Sequence, residues 1–291
     1  MKKKLLVVVV AVMAVSGVTA CGGSAPETDE KAKFEAVNEA VGQAESGSDY
    51  YRTEDGFLFQ DAEGGAALFR YDGEEENVVV PETYEGKSVV ALGESCFSMN
   101  MHGESELKSV TLPESVTVIG INAFGACHGL TSVNIPEHVT EIRYQAFADC
   151  TSLEGITIPG SVTEIGDNAF IYCESLTGVV IEDGVMAIGE KAFQHCINVE
   201  SITIPGSVAS VGRWAFDGCE NLTNVTIEDG VAQIADYAFG ECKKLTGVAL
   251  PDSVTALGKA FQNCDQIAVT YKGITYTDDT MDDLYELFDE E

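Results

Sequence analysis

The chain has 291 residues, of which 48 are acidic and 16 basic, and its formal net charge is −32 at pH 7. A surface that binds nucleic acid or docks on an anionic membrane needs Lys and Arg, so this composition argues against both. Hydrophobic residues make up 45% of the chain, which is too much for a disordered acidic segment, and we expect a folded core.

The first 20 residues predict an export signal. They begin with lysines at positions 2–4 and continue with an uncharged apolar stretch over 5–15, shorter than the ~20 residues that a membrane-spanning helix needs. The triplet Val-Thr-Ala before Cys21 resembles a bacterial lipoprotein box. The resemblance implies that Cys21 carries a diacylglyceryl group, which would hold an extracytoplasmic protein at the cell membrane. Ordinary cleavage after Ala20, with free secretion, is the alternative.

Residues 21–49 predict a tether between the lipid and the folded part. The segment is rich in Gly, Ser, Glu and Ala. A polar helix over about 27–43, with Phe34, Val37 and Val41 on one stripe, is the other interpretation. In both cases the segment keeps the folded part away from the envelope.

A 23-residue repeat determines the fold. The dipeptide Ala-Phe recurs every 23 residues, with a last step of 22, and a cysteine stands three residues after each phenylalanine. The phenylalanines are Phe124, Phe147, Phe170, Phe193, Phe216, Phe239 and Phe261. The cysteines are Cys127, Cys150, Cys173, Cys196, Cys219, Cys242 and Cys264. An earlier, degenerate copy runs from Val78 to Phe97 and lacks the cysteine.

Each copy reads L-x-x-V-x-I-P-x-S-V-T-x-I-G-x-x-A-F-x-x-C. The alternation predicts a short strand, proline ends it, and V-x-x-I predicts a second inward-facing segment before the Ala-Phe turn. About eight apolar side chains in one copy do not offset the conformational entropy of ordering 23 residues. We therefore expect a mainly β, parallel solenoid of about eight copies, stacked ~4.8 Å apart.

These motifs resemble the BspA-like leucine-rich repeat family of bacterial surface proteins over residues 78–271. Residues 50–77 resemble its β-rich N-terminal cap, and 272–291 its C-terminal cap with a short helix. The resemblance implies adhesion or protein recognition at the cell surface. Four departures leave local turns uncertain: Glu182 and Glu228 replace the proline, and Arg143 and Ala235 replace the glycine.

The repeated cysteines predict a column of small buried side chains. Stacked neighbours have parallel Cβ directions, which do not suit a disulfide, and zinc ligands converge on one point instead of forming a column. Disulfides between neighbours and metal binding are the alternatives. His128 and His195 adjoin cysteines of the column, but adjacent turn residues usually point apart. No catalytic motif occurs, so we expect neither an enzyme nor a cofactor or metal site.

The remaining candidates lie on the surface. One outward column in mid-strand contains Thr157, Thr203 and Thr226, and exposed threonine also suits any sheet. The column before Ala-Phe contains Lys191, Trp214 and Tyr237, and here we expect the two aromatic residues one copy apart on a solvent-facing rim. Exposed aromatic pairs suit a protein hot spot or a sugar platform, and simple packing over the turn is the structural alternative.

We therefore predict a lipid-anchored surface protein whose solenoid binds an extracellular protein ligand. A carbohydrate-binding surface lipoprotein and a structural envelope spacer remain the alternatives. The resemblance implies proteins of a host or of a neighbouring cell as ligands, by analogy of fold. We expect no nucleic-acid partner.

Overall fold

The structure is a computed structural model that describes residues 51–98 and 107–289. The predicted export signal, Cys21 and the tether of 21–49 lie outside the described residues, and so does His102. In the part that is described, no helix has the length and apolar character needed to cross a membrane.

An antiparallel hairpin stands before the repeats. Strands Phe57–Ala62 and Gly65–Tyr71 pair with each other, and the short strand Tyr51–Arg52 lies along their outer edge. Gly65–Tyr71 then pairs in parallel with Lys87–Leu92, the second strand of the degenerate copy. The hairpin therefore supplies the neighbour that the first copy of a repeat array lacks.

Every copy contributes short strands that pair in parallel with those of its neighbours. In the first strands, inward residues are buried and outward residues exposed. The first strands are Asn77–Val79, Ser109–Thr111, Ser132–Val133, Gly155–Ile158, Gly178–Ile181, Ser201–Ile204, Asn224–Ile227, Gly247–Ala249 and Ala268–Tyr271. The second strands are Lys87–Leu92, Val118–Ile119, Glu141–Ile142, Glu164–Ile165, Ala187–Ile188, Ser210–Val211, Gln233–Ile234 and Ala256–Leu257.

The second strands form one continuous sheet. Nine of its 12 strands pair in parallel along the stack, namely Gly65–Tyr71 and the eight second strands. The other three have only antiparallel partners, and they are Tyr51–Arg52, Phe57–Ala62 and Thr83–Tyr84. The predicted mainly β solenoid with capped ends is confirmed. It has about nine turns, one more than the repeat motif predicts, because the cap strand adds a parallel rung of its own.

The repeated phenylalanines stack in a single file through the core. From Phe97 to Phe261, successive ring centroids lie 4.9 to 5.7 Å apart and successive ring planes are within 10° of parallel. This spacing follows from the separation of hydrogen-bonded strands, which is about 4.8 Å. Each ring is thus covered by the copies before and after it.

The cysteines form a second column in the core, as predicted. All eight cysteines of the described residues are buried and unpaired. The Sγ–H of Cys173 donates to the carbonyl oxygen of Phe147 at 3.2 Å, and Cys196 repeats this bond to Phe170. The seven repeated cysteines thus all bond to the backbone of the copy before them, which explains why a cysteine recurs at a site that makes no disulfide. Cys96, at another position of the repeat, bonds to Ala123 of the next copy.

Replacing proline with glutamate lengthens the pairing of the first strands. Proline has no N–H to donate to the preceding copy. Glu182 does have one, which donates to the carbonyl of Ile158 at 3.0 Å, and Glu228 makes the same bond to Ile204. The paired first strands occur in separate groups, and one group ends where Pro205 follows the Glu182 copy.

A hairpin and a helix cover the last copy. Strand Ala268–Tyr271 pairs antiparallel with Ile274–Tyr276, and a 3₁₀ turn, Asp278–Thr280, leads into the helix Met281–Asp289. The backbone N–H of Phe261 donates to the buried hydroxyl of Tyr285 at 3.3 Å. The helix thus closes the phenylalanine file at its C-terminal end.

Candidate binding surface

The outward face of the first strands carries small, uncharged side chains. Thr157, Thr203 and Thr226 are exposed at mid-strand, and Thr203 pairs in register with Thr226. Thr157 pairs with Val180, which is 53% exposed, so the threonines do not form one unbroken row.

Asn134 interrupts the same column. Its amide oxygen accepts from the N–H of Leu112 at 2.7 Å, and its amide nitrogen donates to the Leu112 carbonyl at 3.0 Å. The side chain therefore replaces strand pairing, and the strand ends at Val133. Asn134 is itself exposed, so it faces outward like the rest of the column, although it lies one residue beyond the strand.

The column before Ala-Phe adopts a left-handed backbone. Its φ angles lie between 52° and 57° in the six copies from Phe124 to Phe239. The N–H of Trp214 donates to the carbonyl of Asp236 at 3.2 Å, and Lys191 bonds in the same way to Arg213. The left-handed residue thereby continues the hydrogen bonding between copies through the turn. The column is formed by Asn122, Gln145, Asn168, Lys191, Trp214 and Tyr237.

Trp214 is the centre of an aromatic and cationic cluster. Its ring centroid lies 6.0 Å from that of Tyr237 in the next copy, with the rings 27° from parallel, and both residues are half-buried. Lys191 Nζ, from the copy before, lies 4.9 Å from the Trp214 centroid, and Arg213 Cζ lies 4.5 Å from it. Lys191 and Tyr237 come from opposite neighbours along the stack, and together with Arg213 they leave the Trp214 ring half-buried.

The cations of this cluster are paired with carboxylates. Lys191 Nζ lies 3.1 Å from Glu190, and Arg213 Nη2 lies 3.1 Å from Asp236. Exposed ion pairs of this kind contribute at most about 1 kcal/mol each. Both cations lie beside the indole and remain partly exposed to solvent.

A second left-handed column contains residues that the sequence analysis did not select. It stands one residue before each cysteine, and two aromatic members, Tyr172 and His195, stack with centroids 5.1 Å apart and planes 4° from parallel. Tyr172 is 40% exposed. Two aromatic residues at the same repeat position in successive copies were the signal that could have identified the pair. The column is formed by Ala126, Asp149, Tyr172, His195, Gly218, Glu241 and Asn263.

No reactive centre is formed by the groups considered for chemistry. The ring of His195 stacks on Tyr172, whereas the thiol of Cys196 donates to Phe170. Burial raises the pKa of Cys150 and Cys196 well above that of a free thiol, which disfavours the thiolate needed for nucleophilic chemistry. Within the described ranges, no group of three or more His, Cys, Asp or Glu residues is placed to hold a metal ion.

The sequence matches a known repeat family. The pattern described as "BspA type Leucine rich repeat region" matches residues 91–222 and 186–271, in six copies. No curated protein matches the chain.

Three solved structures are similar over most of the chain. A leucine-rich cell surface protein of Faecalibacterium prausnitzii is 28% identical, with a TM-score of 0.52, over 77% of this chain and 76% of that one. A leucine-rich repeat protein of T. pallidum is 32% identical, with a TM-score of 0.59, over 70% and 88%. A leucine-rich repeat protein of Bacteroides ovatus is 25% identical, with a TM-score of 0.51, over 79% and 65%.

Proposed function

The chain belongs to the BspA-type leucine-rich repeat family, and from that premise we propose that it is a lipid-anchored, cell-surface module that binds an extracellular protein. Solenoids of this family are typical of surface and repeat proteins that bind and do not catalyse, and no catalytic family is indicated. One of the similar structures is named as a cell surface protein, which supports display outside the cytoplasm.

The observation that carries this proposal is the difference between the inward and the outward positions of the copies. Inward positions repeat the same apolar side chains from copy to copy, whereas outward positions differ. Among the left-handed residues, for example, Asn168, Lys191, Trp214 and Tyr237 follow one another along the stack. Fixed spacing with varied chemistry gives an extended surface that suits the recognition of a macromolecule.

The packing of Trp214 speaks against the carbohydrate alternative at that residue. A sugar stacks on an open aromatic face, but Lys191, Arg213 and Tyr237 all crowd the indole, within 6.0 Å of its centroid. A half-buried tryptophan suits contact with a protein, because tryptophan is enriched at the hot spots of protein interfaces.

Two measurements test the proposal. The full chain, expressed in a bacterium that processes lipoproteins, is expected to fractionate with the membrane, and Cys21→Ala is expected to release it. If Cys21→Ala stays in the membrane fraction, the lipid anchor is refuted. The acylated protein in detergent is then applied to arrayed extracellular matrix proteins and to a glycan array. Binding to proteins alone supports the proposal, glycans alone favour the carbohydrate alternative, and neither favours a spacer.

A further inference from the structure

Four aromatic residues occupy left-handed positions of the two columns. Tyr172, His195, Trp214 and Tyr237 have φ angles between 56° and 61°. For Tyr and Trp this region is an outlier, whereas Asn and His are enriched in it. Asn168 holds the same position as Trp214 in an earlier copy with the same φ of 56°, and residues that are not aromatic adopt this conformation in other copies too. The fold therefore requires the left-handed turn at these positions but does not require the rings.

The four rings stand on four successive turns, and we call them the aromatic surface (Tyr172, His195, Trp214 and Tyr237). Hydrogen bonds join these turns along the stack. The side-chain amide of Gln194 donates to Asp217 at 2.9 Å, and the N–H of Gly218 donates to the carbonyl of Gly240 at 2.9 Å.

Gly218 lets the His195 ring lie close to the backbone. A Cβ at Gly218 would stand 2.5 Å from His195 Nδ1, so the ring takes the space that a side chain would fill. At Gly240 the atom nearest to such a Cβ is Asp217 Oδ1, at 2.6 Å, and the Tyr237 side chain is 3.3 Å away.

Two rings of this surface are packed against their neighbours. The ring of His195 lies between Tyr172 and Gly218, and that of Trp214 has Lys191 and Tyr237 within 6.0 Å of its centroid. Rings held in place by their neighbours give a preorganised contact area, so little side-chain entropy is lost on binding.

The charge around the aromatic surface is negative. The four turns that carry it, residues 167–174, 190–197, 213–220 and 236–243, contain seven carboxylates against three Lys or Arg side chains, a net charge of −4. All three cations, Lys191, Arg213 and Lys243, are already paired with carboxylates. The exposed Glu174 and Glu220 stand two residues beyond the second left-handed column. With −32 on the whole chain, the field attracts a positively charged partner and repels an acidic one.

We propose that the aromatic surface is the docking site of a basic protein partner, with the rings as the centre of the interface and the carboxylates as its rim. This inference rests on the proposed function as a protein-binding module. It places the partner on the turns of the Phe170 to Phe239 copies and not on the face of the first strands.

A phage-displayed library of random dodecapeptides tests the proposal. It is selected on the full acylated chain in detergent, and the peptides recovered are measured against two variants. Trp214→Asn removes the central ring and introduces the residue that fits the same φ at Asn168. Thr203→Tyr alters only the outward face of a first strand. Melting temperatures of both variants establish that they remain folded.

The selected peptides are expected to be net positive, to bind Trp214→Asn at least about 30-fold more weakly and to bind Thr203→Tyr within about twofold of the native chain. Their association rate is expected to fall as salt is added, because the attraction is screened. Acidic peptides, or peptides that bind Trp214→Asn unchanged, would overturn the proposal. If only Thr203→Tyr loses peptide binding, the aromatic surface is refuted as the docking site, but the proposed protein-binding function stands. Recovery of no peptide counts against both.

Discussion

Removing one ring from the middle of the phenylalanine file is expected to cost a large part of the stability. Phe193 is fully buried, and its centroid lies 5.1 Å from Phe170 and 5.2 Å from Phe216. Phe→Ala at a buried site costs about 3–5 kcal/mol, and the loss of two stacked neighbours places Phe193→Ala toward the upper end. Because whole domains are stable by only about 5–15 kcal/mol, this is a third or more of the total.

Urea unfolding of the full chain measures the effect. Circular dichroism follows the strands, and fluorescence follows Trp214, the only tryptophan, which lies one copy beyond Phe193. Tyr172→Ala is the matched control, because it removes a ring that is 40% exposed, from a column in which Ala126 already occurs. It is expected to cost less than about 1 kcal/mol. The reasoning is refuted if Phe193→Ala destabilises the chain no more than the control does.

Two further predictions concern the thiols and the proline position. Burial raises the pKa of six thiols, Cys196 among them, whereas an unfolded chain ionises them near pH 8.5. Stability is therefore full below about pH 8.5 and is lost above it. Once the unfolded thiols are ionised, the free energy of unfolding falls by about 8 kcal/mol per pH unit. Circular dichroism under reducing conditions should therefore show unfolding by about pH 10.5. A midpoint above about pH 11 contradicts this. Glu182→Pro removes the bond from its N–H to Ile158 and should cost at least about 1 kcal/mol in urea; an unchanged midpoint would exclude any contribution from that bond.

The core could be predicted from the sequence because its positions are shared by all copies. Phe147, Phe170 and Phe193 stand at the same place in the repeat, so stacking in register must put them in one file. The alternation in the first strands likewise predicts which residues are buried, since side chains of a strand alternate between faces. Every copy repeats the same evidence, which makes such a prediction robust.

The surface could be predicted only in part, because outward positions differ between copies. The stacking of Trp214 on Tyr237 follows from the repeat spacing. The contacts of Lys191 and Arg213 with the indole do not, since they depend on a left-handed backbone that has no residue signature when Asn, Lys and Trp all adopt it. The stack of Tyr172 on His195 follows from the repeat spacing too and was overlooked, whereas the bonds of Asn134 to Leu112 leave no mark in the repeat pattern.

The central claim is that copies of one repeat, which share their inward residues, stack in register and support one another. A pair of internal deletions tests this claim most directly. Removing residues 130–152 takes out one whole copy and leaves the aromatic surface with the neighbours that cover its rings. The shortened chain is expected to keep its strand signal and a single cooperative melting transition. Removing residues 130–141 instead takes out about half a copy, which puts the first strand of one copy opposite the turn of the next, and it is expected to abolish folding. If the two deletions behave alike, or if only the shorter one folds, stacking in register cannot be what holds this protein together.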